Sequence, residues 1–462
     1  MAGQVNRRQV MAGLGVTLTG LLPPGGASAA TPAETLTAAP GELTLPGTPA
    51  PTRTLSYNGT TPGPVLRARR GDMVNVRFVN KLDKPSAVHW HGVRIANAMD
   101  GAAGLTQPPV QPGESFDYRF TVPDAGTYWY HPHMHGDTAR QQEAGLYGVL
   151  IVDEEHPPAV DRDLILVIDD WSLGPDGQIL PPAAADAMHA GRIGPKITVN
   201  SKDAESIALA PNERVRLRLV NVANSRIAKL ALAGFAGTIV AIDGHPVDTP
   251  FVPNNGRLDL PPGGRADIIA DGALASGAEA GIALDNNGEV VVLVHLTAAA
   301  GLAMRPAPLP PLALPHSDLP AALTLQKAKR IPLVMAGGPS KGADGTMQHS
   351  MAMAGNAWTL NGKSSDGHGG PPLFSVKRGT LVDLGLVNKT IFAHAIHVHG
   401  HAMRILHPYD DEWQPYWVDT VTVGDGETVH TAFIADNPGK WMIHCHMVEH
   451  QESGMATWFE VT

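Results

Sequence analysis

Apolar and polar residues alternate in three segments of the chain that look alike and each end on asparagine. Gly71-Asp72-Met73-Val74-Asn75-Val76-Arg77-Phe78-Val79-Asn80 is echoed by Asn212-Glu213-Arg214-Val215-Arg216-Leu217-Arg218-Leu219-Val220-Asn221, and again by Gly379-Thr380-Leu381-Val382-Asp383-Leu384-Gly385-Leu386-Val387-Asn388. Neighbouring side chains of a strand point to opposite faces, so this alternation predicts half-buried strands. The first and third copies also share an ending. Ala125-Gly126-Thr127-Tyr128-Trp129-Tyr130-His131-Pro132-His133 parallels Pro438-Gly439-Lys440-Trp441-Met442-Ile443-His444-Cys445-His446, and the middle copy lacks it. The pattern predicts an all-β chain made of three copies of one β-sandwich unit, over 31–157, 158–298 and 329–462.

Composition agrees with that reading. The 462 residues exceed what one hydrophobic core organises, and 50 glycines and 40 prolines without period, in a chain 43% hydrophobic, fit many short strands joined by tight turns. Pro306, Pro308, Pro310, Pro311, Pro315 and Pro320 mark a semi-rigid linker over 299–328 that can reach across the middle unit. Residues 1–30 read as an address: Arg7-Arg8, a moderately apolar run from Ala12 to Leu22, then the small-residue site Ala27-Ser28-Ala29, the pattern of a twin-arginine export signal. The apolar run is too short to span a bilayer. The expected product is a periplasmic or secreted monomer that meets the twin-arginine export machinery and makes no stable membrane insertion. A net charge of −10 with no basic stripe argues against a nucleic-acid partner. One cysteine allows no intramolecular disulfide.

That cysteine carries the chemistry. Cys445 stands in His444-Cys445-His446, with His450 and Met455 downstream. On a strand Cys445 faces one way and both histidines the other, so one short strand wires two metal sites together. A copper with two imidazoles, a thiolate and a distant thioether is an electron-transfer geometry; the residues for it are His394, His450, Cys445 and Met455. Three more His-x-His pairs accompany it: His89-Trp90-His91, His131-Pro132-His133 and His397-Val398-His399. Residues i and i+2 of a strand share a face roughly 6.7 Å apart, so each pair straddles two ions or serves two ions of one cluster. Neutral imidazoles suit copper, where a carboxylate-rich site would suit magnesium or calcium.

In this order the motifs resemble those of three-domain multicopper oxidases, close to the bacterial laccase and cuprous oxidase branch. The matching segments are His89 to Gly92, Trp129 to His133, His394 to Gly400 and His444 to Met455. The resemblance implies cupredoxin-like Greek-key sandwiches and four copper ions, one type-1, one type-2 and two type-3. It places His89 and His397 on the type-2 copper, His91, His131 and His446 on one type-3 copper, and His133, His399 and His444 on the other. Because the middle copy has no ligand histidine, the cluster is expected between the first and third units, with the second as a spacer.

By the same resemblance, a small reducing substrate gives up electrons singly at an exposed edge of His394 or His450. The electrons cross Cys445, and four of them reduce dioxygen to two waters. Asp100 matches the family's carboxylate near the type-2 copper and is expected to orient bound water. Where many bacterial relatives carry a glutamate implicated in proton relay, this chain has Gln451, so Glu449, Glu452 or ordered water is expected to substitute. Met455 as axial ligand implies easily oxidised donors: phenols, Cu(I), Fe(II) or Mn(II). Met347, His349, Met351 and Met353 offer Cu(I) ligands or form a polar loop that happens to hold methionines. Asp410, Asp411, Glu412 and Asp419 read as a solvated acidic loop that would at most favour cations. His135 and His401 adjoin ligand motifs and can hydrogen-bond nearby, but neither is needed to complete a copper shell; the remaining histidines, among them His189, His245 and His368, lack ligand spacing and are assigned surface or satisfied core positions. Outside oxidase chemistry, the chain compares with a periplasmic copper-binding or copper-resistance protein without significant turnover, and with copper-free scaffolds of the same architecture. The first needs no cysteine flanked by cluster ligands and the second lacks the histidines. Copper nitrite reductase lacks the paired cluster ligands.

Overall fold

A computed structural model describes residues 34–462 apart from 273, 275–278, 302, 342–346, 349–356 and 408–411. The export segment, His349, Met351, Met353, Asp410 and Asp411 therefore lie outside the described residues. The three alternating segments are the strands Met73–Asn80, Arg214–Asn221 and Thr380–Asn388. Each pairs in parallel with the opening strand of its unit, Glu34–Leu43, Arg162–Trp171 or Lys329–Gly337. On its other side each pairs antiparallel, with Ser115–Thr121, Arg265–Asp271 and Thr428–Ala435 in turn. A second sheet faces the first in every unit, so six main sheets make three sandwiches. No helix among the described residues is long and apolar enough to cross a membrane.

The asparagine closing each repeat strand explains why it recurs. Its Nδ2 ties the strand end to the next loop: Asn80 donates to Lys84 O and Val110 O, Asn221 to Arg226 O, Leu260 O and Pro261 O, and Asn388 to Phe392 O, Val423 O and Gly424 O. Its Oδ1 accepts from the backbone N–H two residues on, at Leu82, Ala223 and Thr390. All three side chains are buried, where an unpaired amide would be costly.

The middle repeat strand departs from the half-wet expectation. Both of its faces are buried. Arg214 pairs with Asp271, Arg216 with Glu154 and Asp267, and Arg218 with Asp163 and Asp267. Glu154 belongs to the first unit, as does Thr127, which donates to Asp267 at 2.7 Å and accepts from Arg218 at 2.9 Å. Alternation marked the polar face correctly, but that face meets a neighbouring sandwich and not water. The proline-rich segment runs along the middle unit, with Leu309 O and Pro310 O accepting from Arg214 and Leu314 buried against Val240 and Ile269.

Candidate metal centre

Strand register brings the histidine pairs together. In the first unit Val88–His91 pairs with Gly126–Pro132 so that His89 lies opposite His131; in the third, His397 lies opposite His444 and Ile396 opposite Cys445. The two strand pairs meet across the seam between the outer units. His89, His91 and His397 offer ligand atoms within 4.8 Å of one another, as do His91, His131 and His446, and His133, His399 and His444. All eight imidazoles are buried. Burial first, then mutual repulsion, holds His91, His131, His133, His399, His444 and His446 well below the usual imidazole value, so they stand neutral, the form in which imidazole binds a metal.

The hydrogen bonds show which nitrogen each ring keeps for a ligand. Nδ1 faces a backbone carbonyl in His89 (Asp100 O, 2.8 Å), His131 (Pro132 O, 2.9 Å), His397 (Asp419 O, 2.9 Å) and His444 (Cys445 O, 3.0 Å). In a neutral ring that nitrogen carries the proton, and Nε2 is left with its lone pair. His399 Nδ1 donates to Asp100 Oδ2 at 2.9 Å, to the same effect, and His91 is turned round with Nε2 at 3.0 Å from Asp419 Oδ1. His89 Nε2, His91 Nδ1, His131 Nε2, His397 Nε2 and both His446 nitrogens are buried with no partner. Unpaired buried acceptors are costly, and His399 Nε2 and His444 Nε2, each with its proton on the other nitrogen, stand 3.0 Å apart. Lone pairs converging on one space in this way fit bound cations.

The cysteine site repeats the argument. His394 Nε2 donates to Thr390 Oγ1 at 2.8 Å and His450 Nε2 to His189 O at 2.7 Å. Both Nδ1 lone pairs then face each other at 3.1 Å, with Cys445 Sγ 3.6 and 3.7 Å away. Burial pushes the metal-free thiol up to about 12 and His450 down to about 4; a soft cation is what makes the thiolate available here. Met455, fully buried, opens the strand Met455–Val461 next to the His444–Ala456 pair.

Family profiles described as multicopper oxidase match residues 41–157, 168–273 and 339–462. The chain is 31% identical to multicopper oxidase MmcO of Mycobacterium tuberculosis over 92% of its own length and 86% of that protein's. It is 28% identical to Laccase-1 of Fomitopsis schrenkii, over 90% and 84%. The crystal structure of a Pseudomonas thermotolerans multi-copper oxidase matches at a TM-score of 0.80 and 33% identity, over 93% of this chain and 99% of that one.

The chain is a multicopper oxidase. It is a copper-dependent oxidoreductase that passes electrons from a reducing substrate to dioxygen, with three cupredoxin-like sandwiches and the family's four coppers.

Two groups in this multicopper oxidase escaped the reading of the motifs. Asp419 is not on a solvated loop. It is buried, its Oδ1 meets His91 and accepts from Thr420 Oγ1 at 2.9 Å, and its Oδ1 and Oδ2 accept from Arg265 at 2.9 and 2.6 Å. Arg265 comes from the middle unit, so the spacer touches the copper site after all. The acidic neighbours of Asp419 in sequence suggested water; the arginine that buries it lies 154 residues away. Asp100 is buried, with Oδ2 accepting from His399 Nδ1 at 2.9 Å and Oδ1 3.4 Å from His89 Nδ1.

Neither His394 nor His450 has an exposed edge; both rings are buried, and the main chain at His189 closes over His450. His189 is thus part of the site and not an incidental histidine. His245 is buried, as a core position requires, but neither ring nitrogen has a partner, and burial pushes it down to about 4. His401 is a core residue whose Nδ1 meets His399 O at 3.1 Å. His135 lines an open groove of about 900 Å³ with Asp366 and Glu452, its ring 5.6 Å from that of His368. Gln451 is buried, and Glu449 is engaged by Ser225, Asn224 and the Arg192 N–H. Glu452 accepts from Ala139 N at 3.0 Å, and burial pushes its carboxyl up to about 7.

Proposed function

We propose that Cys445, His394, His450 and Met455 hold the type-1 copper and that the eight paired histidines hold the other three. His89 and His397 would take the type-2 ion, His91, His131 and His446 one type-3 ion, and His133, His399 and His444 the other. The observation that supports this is the convergence of unprotonated ring nitrogens in three adjoining histidine groups, two of which share His91. Copper, when bound, supplies one-electron redox chemistry at the outer site and oxygen reduction at the inner one.

The chain's own groups do the rest. Cys445 spans the two sites, its side chain among His394 and His450 and its neighbours His444 and His446 in two of the inner clusters. The carbonyls of Asp100, Pro132, Asp419 and Cys445 fix ring tautomers before any metal arrives. Asp100, whose Oδ2 accepts from His399 Nδ1, would orient water at the cluster. Glu452 lines the open groove, and burial pushes its carboxyl up to about 7, so it would exchange protons near neutral pH. We read 31–157, 158–298 and 329–462 as the bounds of the three sandwiches, with 299–328 as the linker. We further read residues 1–30 as a twin-arginine signal delivering a monomer to the periplasm or medium, on the strength of Arg7-Arg8 and Ala27-Ser28-Ala29.

Oxygen uptake by the copper-loaded protein on adding a dimethoxyphenol, Cu(I), Fe(II) or Mn(II) tests the proposal. Cys445→Ser is expected to lose the blue band and at least about 100-fold in turnover while keeping three coppers. Full activity in that variant contradicts the electron route, and copper binding without oxygen uptake with any donor leaves only a copper-binding role.

A further inference from the structure

Metal-binding side chains also gather outside the sites already described. His135 and His368 stand beside the open groove with ring centres 5.6 Å apart and planes inclined at 68°. His89 and His397, the pair assigned above to one copper, show nearly the same arrangement, 5.7 Å and 64°. His135 follows His133 by two residues in a turn of the first unit, and His368 lies in the loop after the short strand Ser365–Asp366 of the third. The loop presents its ring by local bonds. Asp366 Oδ1 accepts from the His368 and Gly369 N–H groups at 3.2 and 3.0 Å, and its Oδ2 is left 3.4 Å from His368 Nε2. The His368 ring rests on Gly104 of the first unit, where φ is +88° and a Cβ would come within 2.9 Å of Cδ2. Ala103, the next residue back, donates to His133 O at 3.2 Å, so this seat is tied to the backbone of a proposed ligand of the inner cluster.

We propose that His135, His368 and Asp366 form a labile site for one divalent transition-metal ion, Cu(II) before Zn(II), beyond the family's four coppers. The donors select the ion. Two imidazoles and a carboxylate suit first-row divalent metals, of which Cu(II) is held most tightly, whereas magnesium or calcium calls for oxygen ligands throughout. His135 Nδ1 is buried and has no hydrogen-bond partner, a costly state for a ring nitrogen that a bound cation would end. The site is wider than the inner groups, in each of which three ligand atoms lie within 4.8 Å of one another. His135, His368 and Asp366 are all partly exposed, so side-chain rotation closes the donors on an ion and releases it again. The ion held here therefore exchanges with solvent, unlike one held by the buried imidazoles. Its position, two residues along the chain from His133 and across the same seam of outer units, puts exchangeable metal at the edge of the cluster.

The test starts from the copper-loaded enzyme, dialysed free of loosely held metal. Added Cu(II) is expected to occupy one further equivalent, with an axial paramagnetic resonance signal split by two imidazole nitrogens. A chelator should remove that equivalent and leave the blue band intact, and Zn(II) should compete for it. Asp366→Asn removes the charge and keeps an acceptor for both backbone N–H groups, and His368→Ala removes one ring. Each variant should bind the extra ion at least about tenfold more weakly, with retained copper and oxygen uptake as in the wild type. No further equivalent in the wild type, equal binding by both variants, or a signal lacking the two nitrogens overturns the site. The extra ion is counted above the metal that survives dialysis, so its binding is read separately from the oxidase chemistry. A dialysed enzyme without blue colour or oxygen uptake would be a failure of the oxidase reading and not of this site.

Discussion

Asp419 and Arg265 form a buried two-pronged ion pair whose carboxylate also meets His91, and whose backbone carbonyl meets His397. Such a pair holds its neighbours in register, and removing one partner strands a charge in the interior. Arg265→Met is therefore expected to cost about 3–5 kcal/mol in denaturant unfolding. Its pH dependence has a definite sign. Burial pushes the Asp419 carboxyl up, but Arg265 and the two histidines outweigh it and hold it well below the ordinary value of 3.8. The stability so gained is complete above about pH 4 and is lost as pH falls through the lower, folded value. The gap between wild type and Arg265→Met should narrow as the pH is taken below about 4, and a gap independent of pH would contradict this. The motifs made the histidines legible because each pair sits on a single strand. Asp419 and Arg265 were not legible, because what defines them is an approach between distant strands.

The asparagine staple is common to all three repeat strands, but only the third is coupled to a proposed copper ligand, His394. There Asn388 Oδ1 accepts from both the Thr390 N–H and its hydroxyl, and Thr390 Oγ1 in turn takes the His394 Nε2 proton at 2.8 Å. In the first copy the corresponding acceptor meets the Leu82 N–H, and leucine has nothing to pass on. Asn388→Ala and Asn80→Ala should each cost about 1–3 kcal/mol by leaving buried carbonyls unpaired. Asn388→Ala alone should shift or broaden the blue band in the visible spectrum; an identical spectrum in both variants would remove the staple from the copper site. Alternation revealed these strands because period-two patterning survives any neighbour. It misjudged the environment of Arg214, Arg216 and Arg218, since a polar face reads the same whether it meets water or buried acids, those of its own sandwich and Glu154 of the adjoining one.

At the scale of the molecule, the outer sandwiches carry the proposed ligands and the middle one holds them in place. It does so from behind, through Arg265, and from in front, through the main chain at His189 that closes over His450. That the histidines belong to the first and third units could be read from their absence in the middle repeat. The closure at His189 could not, because a main-chain carbonyl bonded to a ligand leaves no trace in residue identity. What the whole arrangement claims is one thiolate-bound metal wired to three imidazole-bound ones within a single chain. Elemental analysis of the copper-replete protein, taken with its visible spectrum, addresses this most directly. The expected result is the family's four coppers per chain with one intense blue band that vanishes on anaerobic reduction. A colourless protein, or one saturating well below that copper content, would contradict it.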